Sequence, residues 1–174
     1  MTETDADADT NEPSDRNQPE FTHIEDGEAQ MVDVTDKDDV RREATASGKI
    51  RLRDETVEAV REGDVEKGNV LSTARIAAIQ AVKHTWEDVP MCHQIPVTGV
   101  DTSFEFEDDG IVARVTVTST GKTGVEMEAL NGATRALLTV WDMVTSAEKD
   151  AEGQYPKTRI GDVRVEEKIK TDSQ

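Results

Sequence analysis

The chain has 174 residues, which is enough for one domain with one core. It carries 38 acidic and 20 basic residues, a net charge of −18. Because nucleic acids and anionic membranes bind basic patches, this balance argues against a nucleic-acid or membrane partner. The single cysteine excludes an intramolecular disulfide, and no apolar run reaches membrane-spanning length.

The acidic excess is not confined to one end of the chain. The first 28 residues hold ten acidic residues and one basic residue, which leaves 28 acidic and 19 basic residues in the remainder. A charge of −9 spread through the folded part suggests a halophilic source, because salt screens the self-repulsion. The alternative is an ordinary acidic cytosolic protein. The lone cysteine and the polar N-terminus, which is not a secretory signal, predict a cytoplasmic location.

Residues 1–22 are almost entirely polar, so we predict a disordered acidic arm followed by a single folded domain over residues 23–174. Apolar residues that alternate predict strands, and apolar residues that recur at helical spacing predict helices. In chain order the predicted elements are a strand at 45–53, helices at 54–61 and 69–84, a loop at 86–96, strands at 97–107 and 111–119, a helix at 124–147 and a strand at 158–169. Asn69 is a predicted helix cap. The order β-α-α-β-β-α-β predicts an α+β fold, a ferredoxin-like antiparallel sheet with helices on one face.

Residues 121–130 concentrate a cation, two acids and two glycines at a predicted strand-to-helix junction. The glycines allow a tight turn or the close approach of a ligand. The N–H groups of the helix start could receive an anion, to which Lys122 would add positive charge. Glu126 and Glu128 could exchange protons or bind ring nitrogens. The alternative is a plain loop before a helix whose first acids suit its dipole.

Three further polar residues are candidates for chemistry. His93 follows the only cysteine, Cys92, but no further ligand is spaced around this pair, so a zinc site is improbable. His93 either bonds the backbone or, because imidazole titrates near neutrality, transfers protons or contacts phosphate. Lys67, just before a helix start, is either a solvated lysine or part of a phosphate cradle. Asp142, on a largely apolar helix, either lies on the exposed face or is placed for catalysis.

The spacing of two acids on the longest predicted helix limits how they can act. Glu128 and Asp142 are 14 residues apart in the sequence. At ~100° and ~1.5 Å per residue they share a face but lie ~21 Å apart along the axis. One small substrate centre cannot touch both from a single subunit. Either they serve two ends of a long site, or a second subunit completes each site.

Six short motifs follow one another along the folded part of the chain. They are Met31-Val32-Asp33-Val34, Lys67-Gly68-Asn69-Val70, Thr73-Ala74-Arg75-Ile76-Ala77, Pro90-Met91-Cys92-His93, the run from Lys122 to Leu130, and Trp141-Asp142-Met143. Together, over about residues 24–170, they resemble the cyclic pyranopterin monophosphate synthases, the MoaC family of molybdenum cofactor biosynthesis. The resemblance implies the ferredoxin-like fold and a homohexamer built as a trimer of dimers, with sites at a subunit interface.

The resemblance also implies a reaction and a set of site residues. The implied reaction is that of a lyase, which converts (8S)-3′,8-cyclo-7,8-dihydroguanosine 5′-triphosphate to cyclic pyranopterin monophosphate and releases pyrophosphate. The implied catalytic residues are Asp142, as the principal acid–base group, Lys67 and His93. The predicted substrate contacts are Met91, Cys92, His93, Glu126, Met127, Glu128, Arg41, Arg75 and Lys122. No resident metal or other cofactor is expected, although magnesium can accompany the triphosphate.

One position departs from the family pattern. The family usually has a lysine three residues after the helix aspartate, where this chain has Thr145. Side chains at i and i+3 are neighbours on a helix, so a lysine there would hold the acid ionised. Either Lys149 substitutes for it or activity is impaired. The second case keeps an alternative function open, a catalytically silent oligomeric protein that binds a nucleotide or pterin.

Overall fold

The computed structural model describes residues 24–25 and 28–171. The acidic arm predicted at 1–22 therefore lies outside the described residues. The chain divides into two compact units, residues 1–32 and 33–174. In the first unit, two short strands that the sequence did not predict pair in antiparallel fashion, β1 (Ile24–Glu25) and β2 (Glu28–Ala29).

The second unit contains the seven predicted elements in the predicted order and one further, short helix. They are β3 (Val40–Arg51), α1 (Asp54–Glu62), α2 (Val70–Lys83), α3 (Thr85–Asp88), β4 (Val97–Glu107), β5 (Gly110–Gly121), α4 (Glu126–Glu148) and β6 (Arg159–Thr171). The short helix α3 occupies the start of the segment that was predicted to be a loop. Among the described residues, no helix is both long enough and apolar enough to cross a membrane.

Strand β3 begins five residues earlier than the sequence predicted. Its pairing with β5 starts at Val40 opposite Gly121, and its pairing with β6 starts at Arg41 opposite Thr171. The first residues of β3 are mostly polar, so local alternation is weak there, and the strand is extended by its two neighbours. This extension brings the start of β3 next to the loop that leads into α4.

The four long strands form one antiparallel sheet in the order β4-β5-β3-β6. The central pair, β5 and β3, is flanked by β4 and β6, which is the connectivity of the ferredoxin-like β-α-β-β-α-β motif with α1 and α3 added. The predicted α+β class and antiparallel sheet are confirmed.

Small side chains let α4 pack closely against both the sheet and α2. A Cβ atom built on Gly132 of α4 would lie 2.8 Å from Val82 Cγ2 on α2 and 3.0 Å from Val115 Cγ1 on β5. On the facing surfaces, many core positions are fully buried alanines, among them Ala46, Ala78, Ala129, Ala133 and Ala136. Such close packing holds both ends of α4 in place relative to the sheet.

Candidate active site

Helix α4 carries candidate residues near both of its ends. Glu126 and Glu128 lie in its first turn, and Asp142 lies near its C-terminal end. Because the helix is continuous over Glu126–Glu148, Glu128 and Asp142 are ~21 Å apart along its axis. The candidates fall into two groups. The Asp142 cluster consists of Lys67, Asp142 and Thr145, and the Glu128 cluster consists of Asp33, Arg42, Cys92, His93, Lys122, Glu126, Glu128 and Lys168.

In the Asp142 cluster, two side chains converge on one aspartate. Lys67 Nζ donates to the main-chain oxygen of Asp142 at 2.5 Å and lies 3.4 Å from its Oδ1 atom. The hydroxyl of Thr145 donates to the same main-chain oxygen at 3.1 Å. Lys67 comes from the segment between α1 and α2, 75 residues away in the sequence. One chain therefore brings together the two residues that the sequence named separately as catalytic.

The cation beside Asp142 is Lys67. Lys149, which the sequence offered as a substitute for the missing family lysine, places its Nζ atom 5.9 Å from the ring centroid of Tyr155. The side chain of Asp142 is 74% exposed and that of Lys67 is 44% exposed. This pair is therefore open to a ligand or to another chain.

At the other end of α4, Glu128 is a buried acid. Its relative exposure is 3%. Burial raises the pKa of Glu128 to about 7, and the negative charge of Glu126 adds to the increase, while a hydrogen bond from its own backbone N–H opposes it. A carboxyl group that titrates near neutrality can both donate and accept a proton there. The sequence predicted this role but contained no signal for the burial.

The pKa of Glu126, two residues earlier, is shifted in the opposite direction. Burial alone would raise its pKa, but the ion pair with Lys168 of β6, its own backbone N–H and the charge of Arg42 bring the pKa of Glu126 below its ordinary value. Its carboxylate lies over Gly124, where a Cβ atom would overlap it. The two acids at the start of α4 therefore use their own backbone N–H groups, which argues against the anion site expected there.

The loop after α3 brings the sole cysteine next to Glu128. Burial raises the pKa of the Cys92 thiol, and the charge of Glu128 raises it further. A thiol with a raised pKa is a weak nucleophile, so Cys92 is better suited to lining the site than to attacking a substrate. The flanking residues Met91 and His93 are half-buried.

Lys122 and His93 lie close to an acid that the sequence did not name as a site residue, Asp33. Its pKa is lowered by hydrogen bonds from Thr35, the larger cause, and by the nearby charges of His93 and Lys122. Lys122 Nζ donates to the main-chain oxygen of Thr35 at 2.5 Å. Lys122 thus ties the turn at 33–35 to the loop before α4.

A family model, described as the MoaC family, matches residues 31–171. The chain belongs to the MoaC family. The chain is 62% identical over 151 residues to a protein of Methanococcoides burtonii named "probable cyclic pyranopterin monophosphate synthase", a match that covers 87% of this chain and 95% of the relative. A Halobacterium salinarum protein of the same name is 61% identical over 83% of this chain and 89% of the relative. A Methanothermobacter thermautotrophicus protein is named "probable cyclic pyranopterin monophosphate synthase accessory protein". It is 59% identical over 87% of this chain and 95% of the relative.

Three of the residues predicted to contact the substrate of this MoaC family member belong to neither cluster. Arg41 is on β3 and pairs with Glu43 at 3.3 Å. The guanidinium of Arg75, on α2, lies 5.6 Å from the ring centroid of Phe104. Met127 is exposed on the first turn of α4. Their contact with a substrate stays a prediction.

The sequence missed Arg42, which contacts the segment before α4, and Lys168, which contacts the first turn of α4. Neighbouring residues of a strand point to opposite faces, so the choice between Arg41 and Arg42 depended on knowing which face carries α4. Lys168 reaches Glu126 from the last strand. No local pattern in the sequence marks that pairing. Within the described residues, no group of three or more His, Cys, Asp or Glu side chains could hold a metal ion.

Proposed function

We propose that this MoaC family chain is a lyase of molybdenum cofactor biosynthesis. It converts (8S)-3′,8-cyclo-7,8-dihydroguanosine 5′-triphosphate to cyclic pyranopterin monophosphate and releases pyrophosphate. The observation that carries the proposal is the contact of Lys67 with Asp142, an acid–base pair, in a chain about 60% identical to proteins named as probable synthases of this product.

Each cluster has a distinct task in this proposal. Asp142 is the principal general acid–base residue, and the ammonium group of Lys67 lies beside its carboxylate. Glu128 populates both protonation states near pH 7 and exchanges hydrogen bonds with the ring system of the substrate. His93 joins this end of the site as a second proton carrier.

We further propose that two subunits share each site. Within one chain the two clusters are ~21 Å apart along α4, too far for one small reacting centre to contact both. The Glu128 cluster of one subunit would face the Asp142 cluster of another in a homohexamer, a trimer of dimers. The open side chains of Lys67 and Asp142 support this arrangement because a second chain can cover them.

The triphosphate end of the substrate needs cations from an acidic protein. We assign this task to Lys67, Arg41, Arg75 and Lys122. The proposal includes no resident cofactor, and magnesium would enter only as a counter-ion of the triphosphate. We place the protein in the cytoplasm of a halophile, which fits its net charge of −18.

Turnover of the purified cyclic intermediate in molar KCl tests the function. We expect cyclic pyranopterin monophosphate and pyrophosphate as products. Asp142→Asn and Lys67→Ala should each lower the rate about 10²–10⁴-fold, because each removes an acid–base partner. Lys67→Ala should also weaken substrate affinity, whereas Asp142→Asn should leave it nearly unchanged.

The matched controls are Asp108→Asn in the β4–β5 turn and Lys157→Ala in the loop before β6, both of which are exposed. Neither control should change the rate. Tight binding of the intermediate without any product would support the alternative function, a catalytically silent binding protein.

A further inference from the structure

Arg42 bridges two consecutive carbonyl groups at the end of β5. It lies on β3 opposite Ser119. Its Nε atom donates to the main-chain oxygen of Gly121 at 2.9 Å, and its Nη2 atom donates to that of Lys122 at 3.2 Å. A rigid, planar guanidinium that makes two such bonds fixes both the distance and the direction of its partners.

The bridged segment leads directly into α4. Only three residues separate Lys122 from Glu126, where the helix begins. The N-cap residue of α4, Val125, has no side-chain hydrogen bond that could fix the helix start. Because the usual cap is absent, the anchoring of the preceding loop determines where the first turn lies.

We infer that Arg42 is a positioning residue that acts through Glu128. By holding the carbonyls of Gly121 and Lys122, it sets the position of the first turn of α4 and keeps the Glu128 carboxyl group in its buried place. Arg42 itself uses two of its N–H groups in hydrogen bonds to the backbone. The inference rests on the proposed function, in which Glu128 contacts the substrate.

A lysine side chain at position 42 cannot form both of these hydrogen bonds in the same geometry. Its ammonium keeps the charge of Arg42 but lacks the planar fork that reaches two carbonyls at fixed angles. Arg42→Lys therefore separates the geometry from the charge. Arg53→Lys is the matched control, because Arg53 Nη2 donates to the main-chain oxygen of Glu148 at 3.3 Å, at the opposite end of the same helix.

The first test is a double-mutant cycle with Glu128→Gln. We expect Arg42→Lys to lower kcat by about 10–100-fold in the wild-type background, since a shift of a positioned group by about 1 Å can cost up to 10²-fold. In the Glu128→Gln background the same change should cost less than about threefold, because the positioned carboxyl is absent. Arg53→Lys should cost less than about threefold in both backgrounds. An equal loss from Arg42→Lys in both backgrounds, or no loss in either, would overturn the inference.

The second test needs no turnover, so it separates a failure of this inference from a failure of the proposed function. The carboxyl infrared absorbance is titrated from about pH 5 to 9, with Glu128→Gln as the baseline. In Arg42→Lys the pKa of Glu128 should move from about 7 towards the ordinary glutamate value, because the carboxyl loses its buried position. An unchanged titration would overturn the inference.

Folding of each variant is checked by its thermal midpoint in molar KCl. If Arg42→Lys does not fold, Arg42→Gln takes its place, since it keeps one donor for the carbonyls without the charge, and the same coupling to Glu128 is required. If neither variant folds, Arg42 acts on the whole fold rather than through Glu128, and the inference is overturned.

Discussion

Glu126 and Glu128 stand two positions apart in the first turn of α4, yet their surroundings shift their pKa values in opposite directions. Glu126 meets Lys168 and Arg42 and stays ionised, whereas Glu128 is buried beside the Cys92 thiol and titrates at about pH 7. Acid–base roles are assigned by such divergent environments. The pKa values of these two glutamates are therefore set by burial and neighbouring charges rather than by residue type.

Replacing Glu128 by glutamine should change how stability depends on pH. The folded-state pKa of about 7 exceeds the ordinary value of 4.5, so the folded state holds this proton more tightly than the unfolded chain. The wild type therefore loses stability as pH rises from 4.5 to about 7 and levels off above that. Glu128→Gln removes this loss, so its unfolding free energy relative to wild type should rise between pH 5 and 8 by an amount on the order of 1–3 kcal/mol.

Urea unfolding at the two pH values, at constant salt, measures this difference. Glu166→Gln is the control. A hydrogen bond from Ser47 and the charge of Arg114 lower the pKa of Glu166, so the stability it contributes is lost only at acidic pH and is constant in this window. If the unfolding free energy of Glu128→Gln relative to wild type were equal at both pH values, the raised pKa of buried Glu128 would be contradicted.

At the scale of elements, one helix sets the positions of both clusters. Helix α4 packs against α2, β3 and β5, and many of the buried residues on the facing surfaces are small. Gly132 lies where α4 crosses both α2 and β5. The alanine-rich faces of these elements allow this close approach.

Enlarging Gly132 should push α4 away from its neighbours. Gly132→Val places methyl groups where a Cβ alone would already be 2.8 Å from Val82 and 3.0 Å from Val115. We expect a loss of about 1–3 kcal/mol of unfolding free energy from overpacking. Gly161→Val on the edge strand β6 is the control, because nothing lies within 4 Å of a Cβ built there. Equal stabilities of the two variants in urea would show that the helix contact is not tight.

At the scale of the whole molecule, the separation of the two clusters is the basis of the proposal that each site is shared between chains. Lys67 and Asp142 touch within one chain, whereas Glu128 and Asp142 are ~21 Å apart along one helix. In the proposed shared site, the first pair acts within one subunit and the second pair meets across an interface. This difference makes subunit mixing informative.

Mixing variants of low activity should raise activity for one pair and not for the other. After subunit exchange, Asp142→Asn mixed with Glu128→Gln should recover activity up to about one quarter of the wild-type level, the share of sites that receive both intact groups by random assembly. Lys67→Ala mixed with Asp142→Asn should recover nothing, because each chain keeps one defect in its Asp142 cluster. Light scattering and isotope-coded mass spectrometry verify the exchange. Recovery in the second mixture, or none in the first, would place the site differently.

Local patterns in the sequence predicted seven of the eight described elements of the second unit, in the correct order. The helical spacing of residues 69–84 predicted α2 with its Asn69 cap, which the hydrogen bond from Ser72 N–H to Asn69 Oδ1 at 2.8 Å confirms. The strands at 97–107 and 111–119 and the helix through Asp142 were predicted because hydrophobic periodicity is visible within a few residues. The helical rise alone gave the separation of Glu128 from Asp142.

Only the tertiary structure decided which residues meet. Lys67 reaches Asp142 across 75 positions, Arg42 reaches Gly121 across 79, and Lys168 reaches the start of α4 from the last strand. Sheet order and helix packing create these contacts, and no local period encodes them. The same holds for protonation, because the pKa of Glu128 depends on burial by distant elements. The sequence determined the elements and named most of the reactive groups, whereas packing decided their partners and their charge.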